Sequence, residues 1–398
     1  MPVEVANTRK LNLTRRTFLG GVATAAAALS MPAIARASGD PFKVGLLLPF
    51  SGGLELFGQQ GLQGTKMAID EINAAGGVLG RQIELVQADD KTDPRTAVER
   101  ATQLIRRDKV NAIIGPVTSA NRDAIKSTVE KAKTPLLYAT DYEGGVCSDW
   151  IACYSAVPAH FVDTVVPYLS STQSGKFFLF GADYTWPRKM NDAIKAKVAE
   201  LGGAIAGEEY TPFGVKDFAP TLRKIADSGA DTVILTLPGA DGVTFVKQMH
   251  AAGLRDKIRL SFLGFNENYL SGFTSAESEG IIAPLPFMQT LDRPEAKDFV
   301  ARQKAMFGEN ATVSYYAESH YGLTRFYLEA VKKADSDDKS AIMQALTGQT
   351  MMFGNGDVTL RASDKHVDLN MLIAEVKNSQ LEQVKYIGKT VAPSQCAA

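Results

Sequence analysis

The strongest constraint on the fold is a regular alternation of short apolar runs with longer segments of helical periodicity. Val44–Leu48 and Thr232–Thr236 are runs of the kind found in strands that are buried on both faces of a parallel sheet. Segments such as 60–75 and 241–252 follow such runs and carry apolar residues three and four positions apart, which predicts helices packed on the strands. The chain therefore predicts an α/β fold of doubly wound parallel sheets, and the number of strands predicts two of them.

The last third of the chain is less regular. A short strand is predicted there, followed by three helices and three further strands, at 280–283, 294–307, 317–334, 340–346, 357–360, 369–376 and 381–387. No repeat with a period of 20–50 residues interrupts the pattern.

Length and composition exclude several classes of protein. The 398 residues are 45% hydrophobic and 22% charged, as in ordinary globular proteins, and the length predicts two domains. The formal net charge is −1, without a basic patch or an acidic tail. Nothing in the charge pattern therefore indicates a nucleic-acid partner.

The N-terminal segment has the pattern of an export signal. The paired Arg15 and Arg16 precede a run of apolar and small residues at 20–29, and Ala35-Arg36-Ala37 follows as a cleavage site. This order predicts a twin-arginine signal peptide over residues 1–37, cleaved after Ala37, and a periplasmic mature chain. The apolar run is short compared with the ~20 residues that a membrane span requires.

The chain contains three cysteines. Because the predicted compartment is oxidising, we expect Cys147 and Cys153 to form a small-loop disulfide and Cys396 to remain free near the end of the chain. Closely spaced cysteine pairs are missing from the sequence, so a zinc-ribbon site is not predicted.

One loop has the character of a ligand site. Phe177–Phe180 predicts a buried strand, Pro187 predicts the first turn of a helix, and Tyr184 and Trp186 lie between them. In open α/β sheets, ligands bind outside the carboxyl ends of the strands, so these two rings are candidates for the walls of a small-molecule site. The alternative is that both rings only pack the helix onto the sheet.

Sequence signatures of catalysis are missing. Neither a Gly-x-Ser-x-Gly elbow nor a phosphate-binding Gly-x4-Gly-Lys-Ser/Thr loop occurs, and the four histidines are scattered. The Asp89-Asp90 pair could bind a cation or transfer protons, but it fits a solvated turn better. We therefore predict no enzyme activity, no metal and no cofactor.

Four motifs in the first third of the chain carry a family resemblance. They are Leu48-Pro-Phe-Ser-Gly-Gly53, Gly58-Gln-Gln-Gly-Leu-Gln-Gly64, residues 68–81 and Ile114-Gly-Pro-Val-Thr-Ser119. This pattern resembles the branched-chain amino-acid (Leu/Ile/Val-binding, type I) solute-binding proteins of ABC importers. The resemblance implies two lobes, joined by a three-strand hinge, that close on a ligand in the cleft. It implies a first lobe of 41–157 with 268–348 and a second of 158–267 with 349–398.

Three further segments resemble one branch of that family. Residues 138–144, 183–188 and 309–318 are similar to the urea- and short-amide-binding proteins. That branch has proline where this chain has Asp141, and a carboxylate there offers an acceptor to a ligand's N–H groups. The ligand therefore stays open between an amino acid, urea and a short amide.

The resemblance also implies the binding residues. In amino-acid binders, the positions of Ser119 and Thr140 hold the ligand carboxylate, and Ser119 heads a predicted helix whose N-terminus favours anions. Ser119 could also be only a helix cap. The further candidates for the cleft are Phe57, Tyr138, Asp141, Tyr184, Trp186, Asp241 and Glu267. Asp241 and Glu267 could equally be helix caps or surface charges.

We expect a monomeric binding protein whose partners are a small-molecule ligand and the membrane permease subunits of an ABC importer. Two alternatives stay open at this point. An exported amide hydrolase would need a nucleophile with a base, or a metal. A periplasmic ligand-sensing receptor would need a signalling partner across the membrane.

Overall fold

The computed structural model describes residues 2, 39–172 and 175–396. The predicted export signal, from the paired arginines to Ala37, lies outside these residues. Within the described ranges, no helix has both the length and the apolar character that a membrane span needs.

The first sheet is entirely parallel. Its strands are β1 (Phe42–Leu48), β2 (Ile83–Asp89), β3 (Ala112–Ile114), β4 (Leu136–Tyr138) and β5 (Ile151–Cys153), in the order β2-β1-β3-β4-β5. Three helices connect them: α1 (Glu55–Ala74), α2 (Pro94–Arg106) and α3 (Ser119–Lys131). Helix α1 begins five residues before the predicted start at residue 60, which places Phe57 in its first turn.

The second sheet is mixed. Its strands are β6 (Lys176–Ala182), β7 (Ala204–Thr211), β8 (Thr232–Thr236), β9 (Arg259–Phe262), β10 (Ile281–Leu285), β11 (Thr350–Phe353), β12 (Gly356–Leu360), β13 (Val367–Lys377) and β14 (Gln380–Thr390). The order is β11-β12-β13-β10-β9-β8-β6-β7, with β14 paired to β13. Strands β6 to β10 pair in parallel, whereas β10–β13 and the tail strands pair antiparallel. The α/β prediction is confirmed, with an antiparallel portion at the chain's end.

The remaining helices are α4 (Pro158–Thr172), α5 (Thr185–Glu200), α6 (Ala219–Asp227), α7 (Gly239–Ala251), α8 (Glu267–Leu270), α9 (Ser275–Ser278), α10 (Pro294–Phe307), α11 (Tyr315–Ala334) and α12 (Lys339–Leu346). Helix α11 packs closely along α1. A Cβ at Gly64 of α1 would lie 2.0 Å from the carbonyl oxygen of Ala317, so only glycine permits this approach. The contact brings the start of α11 next to the start of α1.

One strand does not fit the predicted lobe boundaries, which otherwise stay a prediction. The family resemblance implies that residues 268–348 belong to the first lobe, but β10 lies between β9 and β13 in the second sheet. All five residues of β10 are buried. An apolar run predicts a buried strand but carries no information about which sheet will accept its hydrogen bonds.

The predicted disulfide is wrong. Cys147 is bonded to Cys396, with the two Cα atoms 4.9 Å apart, whereas Cys153 is a buried free thiol in β5. Sulfur atoms bond only where their Cα atoms lie within about 4.4–6.8 Å in a suitable orientation, and closeness in sequence does not ensure that. The C-terminal tail returns to the loop after β4 and supplies Cys396 instead.

Candidate ligand-binding site

A small cavity, called here the cleft cavity, lies where loops from the two sheets meet. Its volume is about 30 Å³. Its lining residues are Leu54, Phe57, Val117, Ser119, Thr140, Asp141, Tyr184, Trp186, Pro238, Leu263, Gly264, Tyr269 and Tyr316. Most of them follow the carboxyl ends of β3, β4, β6, β8 and β9, where open α/β sheets bind ligands.

Aromatic rings form much of the cavity wall. Phe57 packs edge-on against Tyr316, with ring centroids 4.7 Å apart, and against Tyr269 at 6.1 Å. From the second sheet, Tyr184 lies just before α5 and Trp186 in its first turn, and their rings stack at 6.5 Å. These rings form the apolar frame of a site in which a few polar groups determine orientation.

Two buried polar atoms of the lining side chains have no hydrogen-bond partner within the described part of the chain. They are Oγ1 of Thr140 and Nε1 of Trp186. Leaving a buried polar group unpaired costs roughly 1–3 kcal/mol. The indole offers a donor only, while the threonine hydroxyl can donate or accept, so both atoms are suited to meet polar atoms of a ligand.

Asp141 is the carboxylate of the cavity. One of its oxygens accepts hydrogen bonds from the hydroxyls of Tyr315, at 2.5 Å, and Tyr316, at 2.8 Å. Burial raises the pKa of Asp141 to about 7, although both phenol hydrogen bonds act in the opposite direction. The two tyrosines hold the carboxyl group in place at the start of α11.

Ser119 lies at the start of α3 but does not cap it. The cap is Thr118, whose hydroxyl accepts from the backbone N–H of Asn121 at 3.1 Å. The hydroxyl of Ser119 donates instead to Oε2 of Glu143 at 2.5 Å. Glu143 is held in turn by Arg122, with its Oε1 2.7 Å from Nη2 of the guanidinium.

The structure brings six of the nine predicted binding residues together around the cleft cavity: Phe57, Ser119, Thr140, Asp141, Tyr184 and Trp186. The other three lie outside the lining. The hydroxyl of Tyr138 donates to the carbonyl oxygen of Val117 at 2.8 Å. Asp241 accepts from the backbone N–H of Gly214 at 2.6 Å.

Glu267, the third, begins α8 and is not among the lining residues. Its Oε1 accepts from the backbone N–H of Gln289 at 2.6 Å. Burial raises the pKa of Glu267 to about 7, and the hydrogen bond from Gln289 partly opposes that shift. One carboxylate oxygen of Glu267 is therefore occupied by a hydrogen bond within the protein.

Seven lining residues were not predicted: Leu54, Val117, Pro238, Leu263, Gly264, Tyr269 and Tyr316. Pro238 and Gly264 follow β8 and β9, so the rule that ligands lie beyond strand ends could have found them. Tyr316 lies inside one of the segments that resemble amide binders. Val117 follows β3 within the motif Ile114–Ser119, so the same rule could have found it, whereas Leu54 carries no signal beyond its apolar side chain.

A larger groove of about 880 Å³ runs along α10, α11 and β11, away from the carboxyl ends of the parallel strands. Its arginines are already used by the protein, because Arg302 and Arg325 both pair with Glu71. The cleft cavity lies beyond the carboxyl ends of the parallel strands and is therefore the stronger candidate for a small-molecule site.

Comparison with known proteins identifies the family. Residues 41–380 match the family described as periplasmic binding protein. A curated relative, the Leu/Ile/Val-binding protein homolog 7 of Brucella abortus (strain 2308), is 28% identical over 357 residues, covering 82% of this chain and 85% of its own.

Solved structures share the fold. A solute binding protein of an ABC transporter from R. palustris, in complex with benzoate, has a TM-score of 0.82 at 21% identity, covering 90% of this chain and all of that one. A branched-chain amino acid transporter substrate binding protein from Streptococcus pneumoniae, in complex with isoleucine, has a TM-score of 0.78 at 24% identity, covering 87% of this chain and all of that one. With most of its length inside the family match, the chain belongs to the periplasmic binding protein family.

Proposed function

We propose that this chain is the periplasmic substrate-binding component of an ABC importer, exported by the twin-arginine route, and that its ligand is urea or a short aliphatic amide. The observation that carries the ligand class is the cleft cavity, in which a small volume is combined with an unpaired donor and a carboxylate acceptor.

Size favours a ligand of only a few non-hydrogen atoms. A water molecule needs about 10–15 Å³ of such space, and the cleft cavity has about 30 Å³. Benzoate and isoleucine, which are bound in the two related structures, are considerably larger than urea or acetamide. The ring walls of Phe57, Tyr184 and Trp186 would have to separate to admit them.

Polarity favours an amide. An amide offers a carbonyl acceptor and N–H donors on one planar group. The indole N–H of Trp186 is an unpaired donor for the carbonyl oxygen, and Asp141 is an acceptor for an N–H. The hydroxyl of Thr140 can either donate to the carbonyl oxygen of the ligand or accept from one of its N–H groups. A wrong ligand would leave such groups unpaired, at roughly 1–3 kcal/mol each, and this penalty is the source of selectivity.

Transport follows from closure of the two lobes on the ligand and release at the permease, a hinge motion with no chemical step. The family members named above are solute-binding proteins, which supports binding without catalysis in this chain.

The test is isothermal titration calorimetry of residues 38–398 with urea, acetamide and propionamide, with leucine and benzoate as comparison ligands. We expect binding of at least one amide-type ligand and recovery of the compound unchanged. A ligand at 100 times its Kd should also add about 2.7 kcal/mol to the free energy of unfolding. Binding of leucine or benzoate without any amide would overturn the ligand class, and steady release of ammonia would favour the hydrolase.

A further inference from the structure

The hydroxyl of Ser119 has its proton committed inside the protein. Its Oγ lies 2.5 Å from Oε2 of Glu143, and the other oxygen of Glu143 lies 2.7 Å from the guanidinium of Arg122. The Arg122 side chain is 2% exposed and that of Glu143 8%. Because a guanidinium stays charged, Glu143 is its carboxylate counter-ion, and a carboxylate can only accept hydrogen bonds. Ser119 must therefore be the donor.

From this arrangement, which rests on the proposed function, we propose that Glu143 is a specificity-determining residue of the cleft cavity. By taking the only hydroxyl proton of Ser119, it leaves that oxygen with nothing but lone pairs for a ligand. The site then selects a ligand that donates an N–H at this position and rejects one that presents a carboxylate.

The phenol of Tyr138, which lies beside Ser119, does not make the serine proton available to a ligand. Tyr138 also lies within hydrogen-bonding reach of the Ser119 side chain, but its own proton is donated to the carbonyl oxygen of Val117 at 2.8 Å. The proton of Ser119 could then go to the phenol oxygen or to the carboxylate. Charged acceptors form bonds about twice as strong, so the carboxylate takes it. Neither arrangement leaves a proton for a ligand.

The charges around Ser119 also disfavour a ligand carboxylate. A helix N-terminus such as that of α3 favours a negative charge, and Glu143 already supplies one beside Ser119. A ligand carboxylate would lie near this charge and near the carboxyl group of Asp141, which also lines the cleft cavity. Like charges in a buried site disfavour each other strongly. The role implied for Ser119 by the amino-acid binders is thus reversed in this chain.

The decisive variant is Glu143→Gln, measured with acetamide and acetate, which have nearly the same shape. The charge of Arg122 orients the glutamine, so that its oxygen faces the guanidinium and its NH2 donates to Ser119. The serine proton is then no longer held by a charged acceptor, and the carboxylate of acetate, which is charged, competes for it more strongly than the neutral phenol oxygen of Tyr138. We expect the affinity for acetamide to fall at least tenfold and that for acetate to rise at least tenfold, by calorimetry.

Asp123→Asn is the matched control, because Asp123 is the other carboxylate partner of Arg122 and is not a partner of Ser119. It removes the same charge and should leave the acetamide-to-acetate ratio unchanged. In a Ser119→Ala background, Glu143→Gln should no longer shift the ratio. The inference is overturned if Glu143→Gln leaves the ratio within threefold, if Asp123→Asn shifts it equally, or if the shift persists without the Ser119 hydroxyl.

Neutron diffraction of the deuterium-exchanged wild-type protein tests the inference without a ligand or a variant. Deuteron density between Oγ of Ser119 and Oε2 of Glu143 is expected, and density directed into the cleft cavity would overturn the inference. If that density is found while neither urea nor amides bind, the proposed ligand class fails and the assigned polarity of Ser119 stands.

Discussion

Cys147 and Cys396 stand 249 positions apart in the sequence and are joined by a disulfide. The bond fastens the C-terminal tail to the loop after β4, the loop that carries Thr140 and Asp141 into the cleft cavity. Hydrogen bonds reinforce it: the backbone N–H of Gly145 donates to the side chain of Gln395 at 2.8 Å, and the backbone N–H of Gln395 donates to Asp364 at 2.9 Å. The tail is therefore part of the folded structure.

Removing this disulfide should lower stability. We expect Cys396→Ser to reduce the free energy of unfolding by about 2–4 kcal/mol, because a long loop is no longer closed in the unfolded chain. Denaturant unfolding measures the change, with Cys153→Ala as the variant that keeps the bond. Peptide mapping without reduction should find Cys147 linked to Cys396, and a peptide linking Cys147 to Cys153 would contradict the structure.

Trp186→Phe should weaken ligand binding about tenfold or more, since it keeps an aromatic ring and removes the unpaired indole N–H. Trp150, which precedes β5 outside the lining, is the chain's only other tryptophan. Trp150→Phe should bind normally and leave Trp186 as a single fluorescent reporter of the site. Unchanged affinity in Trp186→Phe would remove the indole from the proposed contact set.

Ligand affinity should rise with pH through about 7. Burial raises the pKa of Asp141 to about 7, so the group is protonated below that pH, and a neutral carboxyl group is a weaker acceptor than a carboxylate. A ligand that donates an N–H stabilises the ionised form and therefore binds more tightly at higher pH. Asp141→Asn should abolish the dependence, measured by calorimetry between pH 5.5 and 8.5.

Glu267→Gln is the control for that pH profile. Burial raises the pKa of Glu267 to about 7 as well, but its side chain accepts from Gln289 and does not line the cavity. This variant should keep the wild-type profile. A profile that flattens in Glu267→Gln, and not in Asp141→Asn, would show that Glu267 is the group whose titration controls binding.

Stability should fall as pH rises toward 9. Burial raises the pKa of Glu318 to about 8, although hydrogen bonds from Tyr154 oppose that shift. A group whose pKa is raised on folding stabilises the fold fully below its unfolded pKa, and this contribution is lost as pH rises through the folded pKa. Asp141 and Glu267 have pKa values of about 7, so their stabilising contributions are lost at a lower pH than that of Glu318.

Glu318→Gln should therefore reduce the decline in the free energy of unfolding between pH 6 and pH 9, by an amount on the order of 1–3 kcal/mol. Glu329→Gln, on the same helix but partly exposed, should leave the decline unchanged. Denaturant titrations at the two pH values compare them. Equal declines in the wild type and in Glu318→Gln would show that Glu318 does not titrate in this range.

Gly239→Ala should weaken ligand binding by preventing the close approach across the cleft cavity. A Cβ at Gly239, at the start of α7, would lie 2.8 Å from the carbonyl oxygen of Gly53 and 2.8 Å from Cδ2 of Leu54, just before α1. Gly253 has a similar left-handed backbone, with φ +66° against +74°, and open space around it. Gly253→Ala therefore carries the same backbone strain without the contact, and only Gly239→Ala should lose affinity in calorimetry.

The local pattern of residues determined much of this protein. Apolar runs and helical periodicity predicted the strands and helices, because burial of a strand or of one helix face depends on residues that are neighbours in the chain. The rule that ligands lie beyond strand ends predicted Tyr184 and Trp186 as walls of the site, since it depends only on where strands stop.

Tertiary structure decided which distant residues meet. Strand β10 pairs within the second sheet, and Cys147 is bonded to Cys396 rather than to Cys153. Glu143 accepts a hydrogen bond from Ser119, which lies 24 positions away in the sequence. The sequence determines each residue's chemistry and its local conformation. Disulfide partners, strand pairing and the direction of a hydroxyl proton depend on distances of a few ångströms that arise only when the whole chain is packed.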